Sequence, residues 1–285
     1  MPCLYPIILK EKIAVVPCGK CYGCLTRKRS EWTFRLTQEE KHSISSAFVT
    51  LTYSSEFLTY GRTKPTLSKV DLQKFIKRLR RYQKRKISYY AIGEYGTKGG
   101  RPHYHLLLFN VENKDNIVKA WRIKEKGEKI KPLGKVDIGK VQPASIHYVT
   151  KYMLQKHKKN YNKIGVEKPF ALMSRRPAIG YQYFSKYDPK DGYIIDEQVK
   201  EYHDKGEIDY VTFAGGKKSS VPPFYRYKIF SELTQKKLAE IHKTEAIEKE
   251  LKEWEKLGIA RYYQKINQLK IYQEHQLNKQ KKDKL

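Results

Sequence analysis

The stretch 87–109, ISYYAIGEYGTKGGRPHYHLLLF, decides the reading of this chain. Ile87 to Glu94 and His103 to Phe109 are rich in β-branched, aromatic and aliphatic residues, and Gly96, Gly99, Gly100 and Pro102 lie between or at the edge of them. Strand-forming runs separated by turn residues make a hairpin. Side chains two apart on a strand share a face, so His103 and His105 project together, with Cα atoms about 6.6 Å apart. If opposed residues have numbers summing to 197, Glu94 faces His103 and Ile92 faces His105, which puts the carboxylate on the face of both imidazoles. One carboxylate and two imidazoles with open positions suit Mg²⁺ or Mn²⁺ acting on a phosphate, although imidazole also accepts Zn²⁺. Ordinary strand histidines are the plain alternative.

Outward from the hairpin the chain alternates strands and helices. Phe48 to Tyr53, FVTLTY, alternates like a strand. Ser68 and Asp71 resemble a capping box, followed by Leu72, Phe75, Ile76 and Leu79 at helical spacing with lysine and arginine opposite. A short strand is expected around Val136 to Val141, and after Pro143 a helix capped by Ser145 and running through Leu154. On that helix Tyr148 and Tyr152 lie one turn apart, on a stripe that diverges from Ile146, Val149 and Met153, with Lys151 beside them. A phenolate is a usable nucleophile toward a phosphodiester, and the phosphotyrosine it makes can be reversed by a 3′-hydroxyl. Packing or rim tyrosines are the competing reading of that spacing.

Lys and Arg number 59 against 30 Asp and Glu, a formal charge of +29 that calls for a polyanion partner, with nucleic acid first and a membrane surface a weaker second. Candidate DNA contacts are Arg78, Arg80 and Arg81 in KRLRRYQKRK, Lys156, and the pair Arg175 and Arg176; tyrosines interleaved with them can stack on unpaired bases. No window approaches a membrane span, and the opening MPCLYPIILKEK has no basic n-region or small-residue cleavage site, so a soluble intracellular protein is expected. All four cysteines are local: Cys18, Cys21 and Cys24 have C-x2-C-x2-C spacing and Cys3 can be the fourth ligand of a tetrahedral structural Zn²⁺ site, the alternatives being free thiols and, third, iron–sulfur chemistry, whose ferredoxin continuation the spacing lacks. From Ser231 the composition turns to Glu, Lys, Gln, Leu and Ile, a charged helical tail. Composition therefore divides the chain into a Cys-rich module (1–46), an α+β core (47–160), an accessory basic region (161–230) and the helical tail (231–285).

Taken in order, FVTLTY, GEYG with RPHYHLLLF, and HYVTKYMLQK resemble the HUH endonucleases. The two-tyrosine form, the upstream PCGKCYGC with Arg29, Glu31 and Trp32, and the later SRRPAIG resemble the replication initiation proteins of gokushoviruses, small single-stranded-DNA phages. The resemblance runs from about Cys3 to Tyr181 and departs at Ala178, where a glycine is expected. It implies a ferredoxin-like antiparallel sheet flanked by helices and an enzyme that nicks an origin for rolling-circle replication. His103, His105 and Glu94 would bind the divalent cation, Tyr148 and Tyr152 would be the two nucleophiles, and Lys151 would lie between them as an auxiliary cation. Thr50 and Thr52, in the first motif, would support the sheet and the origin strand. Single-stranded and origin double-stranded DNA, in the bacterial host's cytoplasm, would be the partners. No G-x-x-x-x-G-K-[ST] loop occurs, so a host helicase and polymerase are expected to help. A two-tyrosine transposase or plasmid initiator is the alternative within this chemistry; a non-catalytic basic nucleic-acid binder is the alternative outside it.

Overall fold

A computed structural model describes residues 3–9, 14–62, 64–96, 99–123, 129–152, 161, 165–213 and 215–282. Two short strands, β1 (Ile7–Leu9) and β2 (Ala14–Val16), precede helix α1 (Tyr22–Lys41). Strand β3 (Ser46–Thr52), helix α2 (Lys69–Arg81), strands β4 (Ser88–Tyr95) and β5 (Pro102–Phe109) and helix α3 (Asp115–Ala120) follow. Next come β6 (Arg122–Ile123), β7 (Lys131–Pro132), β8 (Val136–Gly139), helix α4 (Pro143–Lys151) and β9 (Phe170–Met173). The remainder is the hairpin β10 (Ser185–Asp188) and β11 (Gly192–Ile195), helix α5 (Glu197–Asp204), the hairpin β12 (Tyr210–Thr212) and β13 (Lys218–Ser220), and helices α6 (Pro223–Ile229), α7 (Glu232–Leu257) and α8 (Ile259–Lys282). By backbone contacts the chain forms two compact units, Met1–Phe34 with Tyr181–Lys279, and Arg35–Gly180.

The second of these units is built on a five-stranded sheet in the order β8-β3-β5-β4-β9, every neighbouring pair antiparallel. The α+β class read from the sequence is therefore present. One sheet face, carrying Val49, Leu51, Tyr104 and Leu106, packs with Leu72, Phe75, Ile76 and Leu79 of α2 in a single apolar core. Each such side chain removed from water contributes roughly 1.5–3 kcal/mol, which is why the 3.6-residue stripe of α2 was decisive. Ser68 caps α2, its Oγ accepting from the Asp71 N–H at 3.1 Å. The cap is tied to the sheet: the Tyr104 hydroxyl donates to the Ser68 carbonyl at 3.0 Å and accepts from its N–H at 2.8 Å.

The opposite face receives α4. Its start differs from the expectation: Gln142 is the cap and Ser145 the third helical residue, the two closing a reciprocal capping box, so the helix begins at Pro143. Proline's fixed φ suits a first helical position, where its missing N–H costs nothing. Ile146, Val149 and Thr150 are the buried residues of this helix. Near the end of the unit, Arg35 Nε donates to the Ile179 carbonyl at 3.0 Å and the buried Glu39 accepts from Gly180 N at 2.7 Å, so two side chains of α1 hold the end of SRRPAIG.

The other unit has its own core, in which Phe34, Phe184, Val211, Tyr225, Ile229 and Phe230 are buried together. The tail is helical as read from its composition, in two helices separated at Gly258, whose φ of 72° lies in the left-handed region that other residues avoid. Among the described residues no helix is long and apolar enough to cross a membrane.

Candidate active site

The β4–β5 ladder has the register read from the sequence, with Glu94 opposite His103 and Ile92 opposite His105. Strand β3 on the other side of β5 places Thr50 opposite His105 and Thr52 opposite His103. Strand alternation then sends Glu94, His103, His105 and Thr50 to one face. The ligand atoms of Glu94, His103 and His105 lie within 4.8 Å of one another. Glu94 Oε1 is the common point, 3.3 Å from His103 Nε2 and 3.4 Å from His105 Nε2, and the residue is only 4% exposed.

The second nitrogen of each imidazole is engaged. His103 Nδ1 lies 3.2 Å from the Arg101 carbonyl, which can only accept, so Nδ1 carries the proton and Nε2 turns a lone pair toward Glu94. His105 Nδ1 lies 3.0 Å from Thr50 Oγ1, and the ring stacks on Phe48 with planes 8° apart. Burial holds His103 below its ordinary value and brings His105 down to about 4, with the neighbouring His103 adding to the shift on His105. Two imidazoles and a carboxylate thus bring one ligand atom each to a shared point, a donor set that a divalent cation fits.

Tyr148 completes the cluster. From α4 its hydroxyl donates to Glu94 Oε1 at 2.6 Å and lies 3.3 Å from His105 Nε2, while the ring meets His105 edge-on with centroids 4.9 Å apart. It is 40% exposed, so a substrate can reach it, and partial burial raises its pKa. Tyr152, the residue capping α4, is placed differently: burial raises its pKa, and the phenols of Tyr161 and Tyr90 add to the shift. Lys151 is the last residue of α4 and is half-buried. The structure therefore gathers Glu94, His103, His105 and Tyr148 and sets Tyr152 beside other tyrosines. Sequence reasoning missed Thr50 as a partner of His105, and Phe48 and the Arg101 carbonyl with it. The signal was the β3–β5 register, which nothing local in the chain specifies.

The expected basic contacts divide. Arg80 and Arg81 are exposed on α2, and the Arg80 guanidinium sits 5.8 Å over the Tyr89 ring. Arg175 and Arg176 are also exposed. Arg78 instead turns inward, its Nε donating to the Ala120 carbonyl at 2.7 Å. Lys156 lies outside the described residues.

The four cysteines converge in the other unit, their sulfurs within 4.8 Å of one another. Cys18 and Cys24 sulfurs are 4.0 Å apart, and those of Cys21 and Cys3 3.9 Å. Tetrahedral Zn²⁺ with Zn–S bonds of about 2.3 Å separates its thiolates by roughly 3.8 Å, so the spacing fits. Gly19, with φ of 68°, lets the chain double back so that the N–H groups of Lys20 and Cys21 donate to Cys18 Sγ at 3.4 and 3.3 Å. Burial opposes ionisation of Cys18, but these donors and the neighbouring thiols outweigh it and bring the thiol down to about 6; burial carries Cys24 up to about 12.

Residues 46–158 match the family described as replication-associated protein ORF2/G2P. Replication-associated protein ORF2 of Spiroplasma virus 4 is 45% identical over 102 residues, 34% of this chain and 32% of that protein. Replication-associated protein VP4 of Bdellovibrio phage phiMH2K is 31% identical over 199 residues, 63% of this chain and 61% of that one. Replication-associated protein ORF4 of Chlamydia phage 1 is 27% identical over 194 residues, 60% and 46% of the two chains. The chain thus spans between 32% and 61% of the length of these curated relatives. No solved structure matches. The likeness to replication proteins of small single-stranded-DNA phages, expected from the order of the motifs, is present.

Proposed function

We propose that this chain is a rolling-circle replication initiator of a single-stranded-DNA phage, a metal-dependent HUH-type endonuclease and strand transferase on a ferredoxin-like core. The observation that carries the reading is the Tyr148 hydroxyl, 2.6 Å from Glu94 and 3.3 Å from His105, at the point where, among the described residues, two imidazoles and a carboxylate converge. The names of the relatives supply replication; the phenol and the donor set supply the chemistry.

Glu94 Oε1 and the Nε2 atoms of His103 and His105 would hold Mg²⁺ or Mn²⁺, which supplies polarisation of the scissile phosphate. The rest falls to the chain. Tyr148 is oriented by its hydrogen bond to Glu94; because burial raises the phenol's pKa, its ionisation would need the charge of the cation beside it and a water to take the proton. Its oxygen attacks phosphorus in line and the P–O3′ bond breaks; the 3′-oxygen leaves as an alkoxide that takes a proton from water, while the 5′-phosphate stays on the tyrosine. A later 3′-hydroxyl reverses the step without external energy. Tyr152, one turn on, would attack the regenerated origin in the next round, and Lys151 would offset phosphate charge. Arg80, Arg81, Arg175 and Arg176 would grip the DNA backbone, with Lys156 adding to them. Arg78, bound to the Ala120 carbonyl, would act through the fold. Such an initiator would work in the bacterial cytoplasm with a host helicase and polymerase. Cys3, Cys18, Cys21 and Cys24 would hold a separate structural Zn²⁺.

Incubation with single-stranded origin DNA and Mn²⁺, followed by a denaturing gel, tests the reading. A covalent adduct should form, vanish with chelator and in Tyr148→Phe, and persist after one turnover in Tyr152→Phe. No adduct with any single-stranded DNA under varied metals would leave a non-catalytic binder.

A further inference from the structure

Helix α8 is charged and largely exposed, but one stripe of it turns inward: Tyr262, Ile266, Leu269, Gln273 and Leu277. The spacing is that of a helix docked along one side. Four of these residues are apolar or aromatic, and the fifth is an amide that is 1% exposed. Burying an amide among apolar neighbours is unfavourable unless its polar atoms are met. Gln273 Oε1 accepts from the backbone N–H of Gly23 at 3.3 Å. Gly23 is the second residue of α1, whose first-turn N–H groups have no partner within their own helix, and no acidic side chain stands in that turn. The buried amide thereby supplies the acceptor that the first turn of α1 lacks within its own helix.

Gly23 lies between Cys21 and Cys24, inside the thiol cluster. The fourth thiol, Cys3, lies two residues from Tyr5, whose hydroxyl donates to Glu274 at 3.2 Å, while Lys270 Nζ stands 5.9 Å from the Tyr5 ring. Adjacent residues of α8 are thus held by two chain segments, and those segments meet at the sulfurs. Beyond the sulfurs, the described residues join them by the three-residue pairing of β1 with β2. We infer that the four-thiolate metal site is a clasp for helix α8: bound Zn²⁺ locks the Cys3 segment to the start of α1, and so fixes the two surfaces on which Gln273 and Glu274 dock. The inference rests on the reading of the four thiols as a Zn²⁺ site. Gln273 is its register device, because sliding α8 by a turn would bury the amide without the Gly23 N–H.

The experiment uses the full chain. Zinc content should be close to one per chain. Hydrogen exchange followed by mass spectrometry should show amides of 262–279 exchanging at least about tenfold faster after chelation, the factor expected for losing one buried hydrogen bond, with β3 to β5 unchanged as a fold control. Gln273→Ala should keep its zinc yet show the same acceleration confined to α8, which avoids relying on a cysteine variant that fails to fold. Zinc present with α8 exchange indifferent to chelation overturns the clasp and leaves the Zn²⁺ reading standing. Folded protein without zinc overturns both.

Discussion

The two clusters of metal-type ligands are built in opposite ways. Glu94, His103 and His105 come from neighbouring strands of an antiparallel ladder, each side chain placed by strand alternation and each imidazole held also by a partner on its far nitrogen. The four cysteines come from a short strand-flanked segment and the start of α1, and their closest contacts are with one another and with local N–H groups. The first cluster is prepared by a fold that exists for other reasons, since the opposite face of the same strands carries the apolar core. The second is assembled by short-range contacts, with Cys21 and Cys24 buried and Cys3 and Cys18 half-buried, and a bound metal would add to what holds it. A catalytic site profits from the first arrangement, because donors fixed beforehand lose no energy to reorganisation; a structural site needs only the second.

The sharpest way to break this contrast is to remove one ligand from each cluster. Glu94→Gln keeps the shape and an acceptor for Tyr148 but loses the charge, so adduct formation should fall by about a thousandfold while the circular dichroism and melting temperature hold. Cys21→Ser should do the reverse, lowering the melting temperature and zinc content. A Glu94→Gln protein that unfolds, or one that still nicks DNA, would erase the distinction.

A smaller effect sharpens the role of the ladder. Thr50→Val removes the partner of His105 Nδ1 at 3.0 Å while keeping a β-branched strand residue. Mn²⁺ affinity should drop by about 10–100-fold, with Thr50→Ser restoring it. Titration of the metal into the two variants decides, and equal affinities would show that strand register alone orients the ring.

The smallest effect concerns protons. His105 is held at about 4 against an ordinary 6.5, by burial first and His103 second, so the folded chain keeps it neutral while the unfolded chain takes up a proton. Its stabilising contribution is therefore complete above about pH 6.5 and is lost progressively as pH falls toward 4. Metal-free protein should lose about 1–2 kcal/mol from this group between pH 7 and 5, seen in urea melts as a difference between wild type and His105→Gln that narrows with acidity. A difference independent of pH would refute the assignment.

Much of the sheet unit was legible in the chain. Period-two alternation with glycines between the runs located β4 and β5 and their register; the Ser68 cap and the Leu72, Phe75, Ile76, Leu79 stripe located α2 and its buried face. These are local signals, written within a few residues. What was not legible depends on partners far along the chain. Thr50 meets His105 across 55 positions, Ser145 serves Gln142 rather than acting as the cap, and β9 joins β4 from a region whose composition reads as irregular. The second core, with Phe34 meeting residues beyond 180, has no continuous periodic signature because each element supplies only one or two of its buried residues: Phe34 from α1, Val211 from β12, Tyr225 and Ile229 from α6, Leu238 from α7.

The residues alone settled the chemistry on offer: two imidazoles two apart, a carboxylate nine before the first, phenols at helical spacing and four clustered thiols, since side-chain type and local period are properties of the covalent chain. Which phenol meets the imidazoles, which nitrogen each imidazole keeps occupied, and why one glutamine of the tail is buried were decided only by tertiary packing. Those outcomes depend on hydrogen bonds between segments that no local preference brings together, and a strand or helix acquires its neighbours only when the whole core closes.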